Sequence, residues 1–206
     1  VLTAIWQTLL HYATGSTDVI TGTAIANRNH TELEQVVGKF INALALRTDF
    51  SGADSFRDVL LRVRQTALEA YAHQEVPFSE VMEAVDDGTR HPVFRNSLIL
   101  HNMPHPPSEF TRLKMTHEEL GNKTSKMDAL LYFIERDGHL EGQLEYDTEV
   151  FSLDGIRKLV SDFMAMARLV VKDPLLALNP YALEGENTAP SCFVIGEGSL
   201  CLRSVE

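Results

Sequence analysis

The sequence predicts an α/β sandwich, a mixed sheet with helices packed on it. Three observations carry this. Stretches of β-type alternation and stretches of helical periodicity follow one another along the chain. Residues 127–146 read as a single hairpin. Residues 54–72 and 152–171 read as long amphipathic helices, each with one apolar stripe to bury.

Length and composition set the outer bounds. A chain of 206 residues holds one substantial core with room for an appendage. Its 29 acidic residues against 18 basic ones give a net charge of −11, which argues against a nucleic-acid partner. No apolar run approaches the ~18 residues of a membrane span, and no signal-peptide pattern is present, so no membrane partner is expected. Cys192 and Cys201 fit a reduced, cytoplasmic setting with no disulfide.

Taken in order, residues 1–13 form a helix with Leu2, Ile5, Trp6, Leu9 and Leu10 on its apolar stripe, ended at Gly15. Residues 18–25, rich in Val, Ile and Thr, form a strand. A polar loop, Asn27-Arg28-Asn29-His30, precedes Thr31-Glu32-Leu33-Glu34, which has the pattern of a capping box opening a short helix. After Gly38, Phe40, Asn42, Leu44 and Leu46 alternate with Ile41, Ala43, Ala45 and Arg47. Few of these suit solvent, so the strand is expected to be buried on most of both sides. An amide at Asn42 inside such a strand needs partners or costs about 1–3 kcal/mol. It either bonds neighbouring backbone or lines a channel.

The helix over 54–72 places Phe56, Val59, Leu60, Val63, Ala67, Ala70 and Tyr71 inward, with Asp54 or Ser51 as its cap. Pro77 stops it near His73, at a C-terminus that favours a cation, and a short helix restarts over 79–85. Residues 93–100 and 110–115 read as strands. His101 and His105 have the spacing of a helical metal pair, but Pro104 forbids the helix and no metal site is expected. In the hairpin, the run Ala129-Leu130-Leu131-Tyr132-Phe133-Ile134 is apolar on both faces and is expected to be central. The second strand turns Leu140, Gly142, Leu144 and Tyr146 to the core. Lys126 and Asp128 at its mouth either form a local ion pair or touch substrate. Ser152 caps the last helix, whose stripe is Leu153, Ile156, Val160, Phe163, Ala167 and Val170, and Pro174 marks its end. Leu46, Val63, Leu131, Phe133 and Phe163 are expected to share one core. Residues 179–190 have the composition of a linker, and 191–206 read as a strand entering a glycine turn, with Gly196-x-Gly198 a weak nucleotide signal.

Several of these blocks resemble a known family. Gly38-Lys39-Phe40-Ile41-Asn42-Ala43-Leu44-Ala45-Leu46-Arg47 is similar to Gly-x-Phe-Val-Asn-Thr-x-x-x-Arg. His73-Gln74-Glu75-Val76-Pro77-Phe78 is similar to His-Gln-Asp-x-Pro-Phe, and Arg90-His91-Pro92-Val93-Phe94 to Ser-Arg-Asn-Pro-Leu-Phe. With residues 18–28 and 124–128, these resemble the late motifs of the condensation domains of non-ribosomal peptide synthetases, over roughly residues 1–180. The family's catalytic signature, His-His-x-x-x-Asp-Gly, does not occur in this sequence.

The resemblance implies a chloramphenicol-acetyltransferase-like subdomain over 1–178, the C-terminal half of a condensation domain, inactive alone and with no catalytic residue of its own. It implies that 191–206 begin a further, formyltransferase-like domain. The implied reaction joins the amine of an acceptor aminoacyl thioester to a donor thioester. The implied partners are the N-terminal condensation subdomain, peptidyl carrier domains and a neighbouring adenylation or formyltransferase-like domain. No cofactor is bound directly, since phosphopantetheine rides on the carriers. Asn27, Arg28, Asn42, Arg47, Lys126 and Asp128 become the channel or substrate-binding candidates, with Arg28 facing either an anionic group or solvent. The rival readings are a lobe of a related coenzyme A-dependent acyltransferase and a non-catalytic docking or scaffold module. An epimerisation domain fits the Gly38-to-Arg47 block less well.

Overall fold

A computed structural model describes residues 1–86, 92–101, 109–110, 113–114, 124–136, 139–178, 193–196 and 199–202. The chain opens with α1 (Leu2–Thr14), β1 (Asp18–Ile25), a single 3-10 turn (Thr31–Leu33) and β2 (Asn42–Asp49). Next come α2 (Phe56–Ala72), α3 (Phe78–Val85), β3 (Asn96–His101) and the two-residue strands β4 (Glu109–Phe110) and β5 (Leu113–Lys114). The hairpin β6 (Ala129–Arg136) and β7 (His139–Tyr146) leads into α4 (Leu153–Lys172), and β8 (Phe193–Gly196) and β9 (Ser199–Leu202) close the order.

The main sheet runs β2-β1-β3-β6-β7-β9-β8. The pairs β1–β3 and β3–β6 are parallel and the rest antiparallel. Residues 193–202, expected to open a following domain, pair with one another as β8 and β9, and β9 lies against β7. The expected linker, the His105 loop and the Asp137-Gly138 turn fall outside the described residues.

Helices α1, α2 and α4 cover one face of the sheet. Trp6, Phe56, Val63, Leu98, Leu131, Phe133, Leu144, Ile156 and Phe163 meet there in a single buried cluster. The rings of Phe133 and Phe163 lie 5.6 Å apart and tilted, a favourable aromatic arrangement. All five residues expected in the core are buried, although Leu46, on β2, lies outside this cluster. Trp6 is tied as well as packed. Its Nε1 donates to Asn96 Oδ1 at 3.0 Å, and Asn96 Nδ2 donates to the Ile20 carbonyl at 2.9 Å.

Local chemistry explains the helix ends. Gly15 takes a left-handed φ of 69° and returns its N–H to His11 O. Helix α2 is capped by Ser55, and Asp54 and Ser51 play no such part. Ser55 Oγ accepts from Asp58 N, and Asp58 Oδ2 accepts from Ser55 N at 3.0 Å. The cause is tertiary: Phe56 N donates to Leu176 O and Leu178 N to Asp54 O, so Asp54 and Ser55 pair with residues 176–178 and the helix starts at Phe56. Helix α2 stops at His73 as expected, α3 opens one residue early at Phe78, and Ser152 caps α4.

Four other expectations are corrected. Strand β2 is an edge strand that buries Leu44, Leu46 and Thr48 on one face, while Ile41 and Arg47 are exposed, so it is not enclosed on both sides. Residues 31–34 make only a 3-10 turn with no side-chain cap. Phe110 belongs to β4, and Leu113 and Lys114 to β5, two strands that pair antiparallel with each other and so are not one strand. Two residues assigned to apolar stripes are exposed, Leu153 at the first turn of α4 and Tyr71 near the end of α2, where the helix runs past the core.

Two measurements check this core. Phe133→Ala should cost about 3–5 kcal/mol in urea denaturation. Hydrogen bonds from Ser55 to Asp58 and from Ser51 to Asp49 hold both carboxyls below their usual pKa of 3.8. Each therefore contributes stability above that pH and loses it as the pH falls through its lower folded value. The melting temperature should drop on acidification below pH 3.8, and Ser55→Ala should flatten that drop.

Candidate functional site

The site starts from one side chain. Asn42 opens β2, and its Nδ2 donates to the carbonyls of Gln74 at 2.9 Å and Val76 at 2.7 Å. Its Oδ1 accepts from Phe78 N at 3.1 Å. These are backbone groups of the α2–α3 corner that Pro77 keeps out of helical pairing. From that corner the Phe78 ring packs against Phe94, with centroids 5.3 Å apart. Phe94 in turn covers Gly22 of β1, where an added Cβ would lie 2.2 Å from the ring and 2.5 Å from Ser97 Oγ. Four separated sequence blocks thus meet in one chain of contacts.

Arg28 builds the neighbouring loop. Asn27, with φ 51°, turns the chain out of β1. The Arg28 guanidinium then donates to the carbonyls of Leu33, Val36 (3.0 Å) and Gly38 (3.1 Å) and lies 4.5 Å above the Phe40 ring. Its donors organise residues 33–40, a use that neither expectation for Arg28 included. The loop leaves Val36, Val37 and Ile41 exposed.

The other candidates lie elsewhere. Arg47 forms a two-pronged pair with Asp18, at 2.9 and 2.8 Å, and both side chains are exposed, so the pair adds little stability. Asp128 pairs with Arg95 through Nε at 2.8 Å and Nη2 at 3.0 Å, and not with Lys126. Lys126 is exposed and forms no ion pair among the described residues.

Strand register sorts the six into two groups. Ile25 pairs with Asn42, which puts Asn27, Arg28 and Asn42 at the C-terminal end of β1. Ile20 pairs with Arg47, and the Gly22–Ser97 and Asn96–Ala129 registers place Arg95 and Asp128 at that same level. Arg47, Lys126 and Asp128 therefore gather at the N-terminal end of the parallel strands. Sequence reasoning missed Asp18, Gly22 and Arg95. A glycine within a β-favouring run was the one available signal, since it marks a close approach.

A mixed sheet covered by helices on one face, with a parallel centre and antiparallel flanks, is a chloramphenicol-acetyltransferase-like subdomain. Residues 1–189 match the family described as condensation domain, and the chain belongs to it. It is 41% identical over 178 residues to a linear gramicidin synthase protein of Brevibacillus parabrevis, covering 84% of this chain and 4% of that protein. It is 36% identical over 176 residues to a plipastatin synthase protein of Bacillus subtilis (strain 168), covering 84% of this chain and 5% of that protein. The solved X-domain from teicoplanin biosynthesis superposes with a TM-score of 0.75 at 26% identity, covering 86% of this chain and 42% of that one. The chain thus spans less than half of that solved chain and a small part of each synthase.

The Asn42 contacts are open to direct test. Asn42→Ala leaves two half-buried backbone groups and one exposed one without their partner and should cost about 1–2 kcal/mol. Hydrogen exchange should accelerate at the Phe78 amide while the amides of α4 keep their protection.

Proposed function

We propose that this chain is the C-terminal lobe of a condensation domain that joins carrier-borne aminoacyl and peptidyl thioesters. The observation that carries the reading is the family match over 1–189, with 42% coverage of a solved chain of the same fold. In the reaction the acceptor amine attacks the donor thioester carbonyl. The C–N bond forms, the C–S bond breaks, and the phosphopantetheine thiol leaves with the proton. None of the eight histidines is adjacent to another, so the family's paired-histidine signature belongs to an N-terminal lobe.

This lobe's part is to wall the channel and hold two thioester arms in register, and proximity of that kind supplies up to about 7–11 kcal/mol. Asn27, Arg28 and Asn42 shape one mouth of the channel and Arg47, Lys126 and Asp128 the other, one mouth per carrier arm. Their placement at opposite ends of the parallel strands supports this division. The partners are the N-terminal lobe, two carrier domains and an adjoining adenylation or formyltransferase-like domain, in a cytoplasmic assembly. Phosphopantetheine belongs to the carriers. Among the described residues no helix is long and apolar enough to cross a membrane.

The test loads donor and acceptor carriers as thioesters and follows dipeptide by mass spectrometry. The chain alone should give no product above the uncatalysed rate, and the chain joined to its N-terminal lobe should give product. Product from the chain alone would place a base here. No product from the joined lobes, with turnover of a free coenzyme A thioester instead, would favour the acyltransferase reading.

A further inference from the structure

Helix α2 has three sides, and two of them are occupied. Phe56, Val59 and Val63 are buried in the core. On a second side Arg62 Nη1 donates to the carbonyls of Asp49 at 2.6 Å and Ser51 at 2.9 Å, and Thr66 Oγ1 donates to Arg47 O at 3.2 Å. The third side carries Arg57, Leu61, Arg64, Leu68 and Tyr71, spaced by four, three, four and three residues. That spacing keeps them within an arc of about 80° over about 21 Å of helix. Leu61, Leu68 and Tyr71 are 52, 49 and 45% exposed, and both arginines are exposed.

The composition of this stripe is that of an interface core and not of a solvated helix face. It holds two arginines, a tyrosine and two leucines, and no lysine or carboxylate. The flanking carboxylates are engaged elsewhere, Asp58 by Ser55 and Glu69 by Gln65 Nε2 at 2.6 Å. Among the described residues neither Arg57 nor Arg64 forms an ion pair. On a chain with 29 acidic and 18 basic residues, these two charges mark a local cationic strip around an apolar centre. The complementary surface is acidic with an apolar middle. Five side chains on one helix bury well under the roughly 800 Å² per partner of a stable complex, so the occupant is one that docks and leaves. Steering by exposed charge suits such an encounter.

We infer that the outer stripe of α2 is the docking site of an acidic carrier domain. Leu61, Leu68 and Tyr71 seat its apolar centre, and Arg57 and Arg64 meet its carboxylates. This rests on the carrier-borne reading above, and among the partners of that reading only the carriers must come and go.

The test has two arms. In the first, the 206-residue chain is titrated with the apo carrier domain encoded beside it, and amide shifts are followed by NMR. Shifts should centre on residues 57–71. The Kd should rise at least tenfold in Arg57→Glu/Arg64→Glu and in Leu61→Asp, with unchanged melting temperatures, and wild-type binding should weaken with salt while the arginine variant's should not. Shifts confined to another surface, or an unchanged Kd in both variants, would overturn the proposal. In the second arm, the joined condensation domain acts on carrier-borne substrates and on free pantetheine thioesters. The variants should raise KM for one carrier and leave kcat and free-thioester turnover alone. Failure of the wild type on both substrate forms counts against the condensation reading, whereas the first arm decides the docking site by itself.

Discussion

The amide of Asn42 fixes the start of β2 to the corner between α2 and α3. Strand β2 is at the sheet edge, and the α2–α3 corner that approaches its start is broken open by Pro77. Helix α2 therefore ends on carbonyls with no helical partner, and α3 begins on an N–H with none. One side chain supplies two donors and one acceptor to these groups. A carboxylate could not donate, and an aliphatic residue could do neither. Once the corner is fixed, Phe78 is aimed at Phe94, and Phe94 lies down on β1 because Gly22 offers no Cβ to stop it. The family-like blocks around 42, 78 and 94 are thus explained by packing before any role in chemistry is asked of them.

The exposed edge of β2 is managed with side chains. Thr66 takes the Arg47 carbonyl and Arg62 the Asp49 carbonyl. An edge whose acceptors are engaged from within is a poor template for another chain. On the core side Gln7 Oε1, Thr21 Oγ1 and Thr48 Oγ1 are buried without a partner, which costs stability.

Much of this was legible in the residues, and the failures share a cause. Helices with a full stripe, such as α2 and α4, declared their buried faces except at Tyr71 and Leu153, and the β6–β7 pairing was legible as a hairpin. The burial of β2 did not follow from its composition. Alanines at 43 and 45 read as interior, and whether a strand is central depends on which strand lies beyond it. The sequence pattern pointed to Asp54 or Ser51 as the cap of α2, and pairing with residues 176–178 places it at Ser55 instead. Asp128 has Lys126 two residues away along the chain, yet Arg95 sits beside it across the parallel ladder, a neighbour that only the sheet order reveals. The division of the six candidate residues between two ends of the strands needed the register.

The bond from Trp6 to Asn96 spans 90 residues, and that from Asn96 to Ile20 spans 76. The centre of the sheet is therefore assembled from pieces far apart in the order of synthesis, and loops of that length must close before any of it is rewarded. During synthesis α1, with Trp6, Ile5 and Leu9, is made before β3, β6 and α4, so its cover stays incomplete until they have followed. For that interval its apolar face is open to wrong partners. The tryptophan that ends as the best-buried aromatic of the core begins as its most exposed liability, and chain growth through α4 sets how long that lasts.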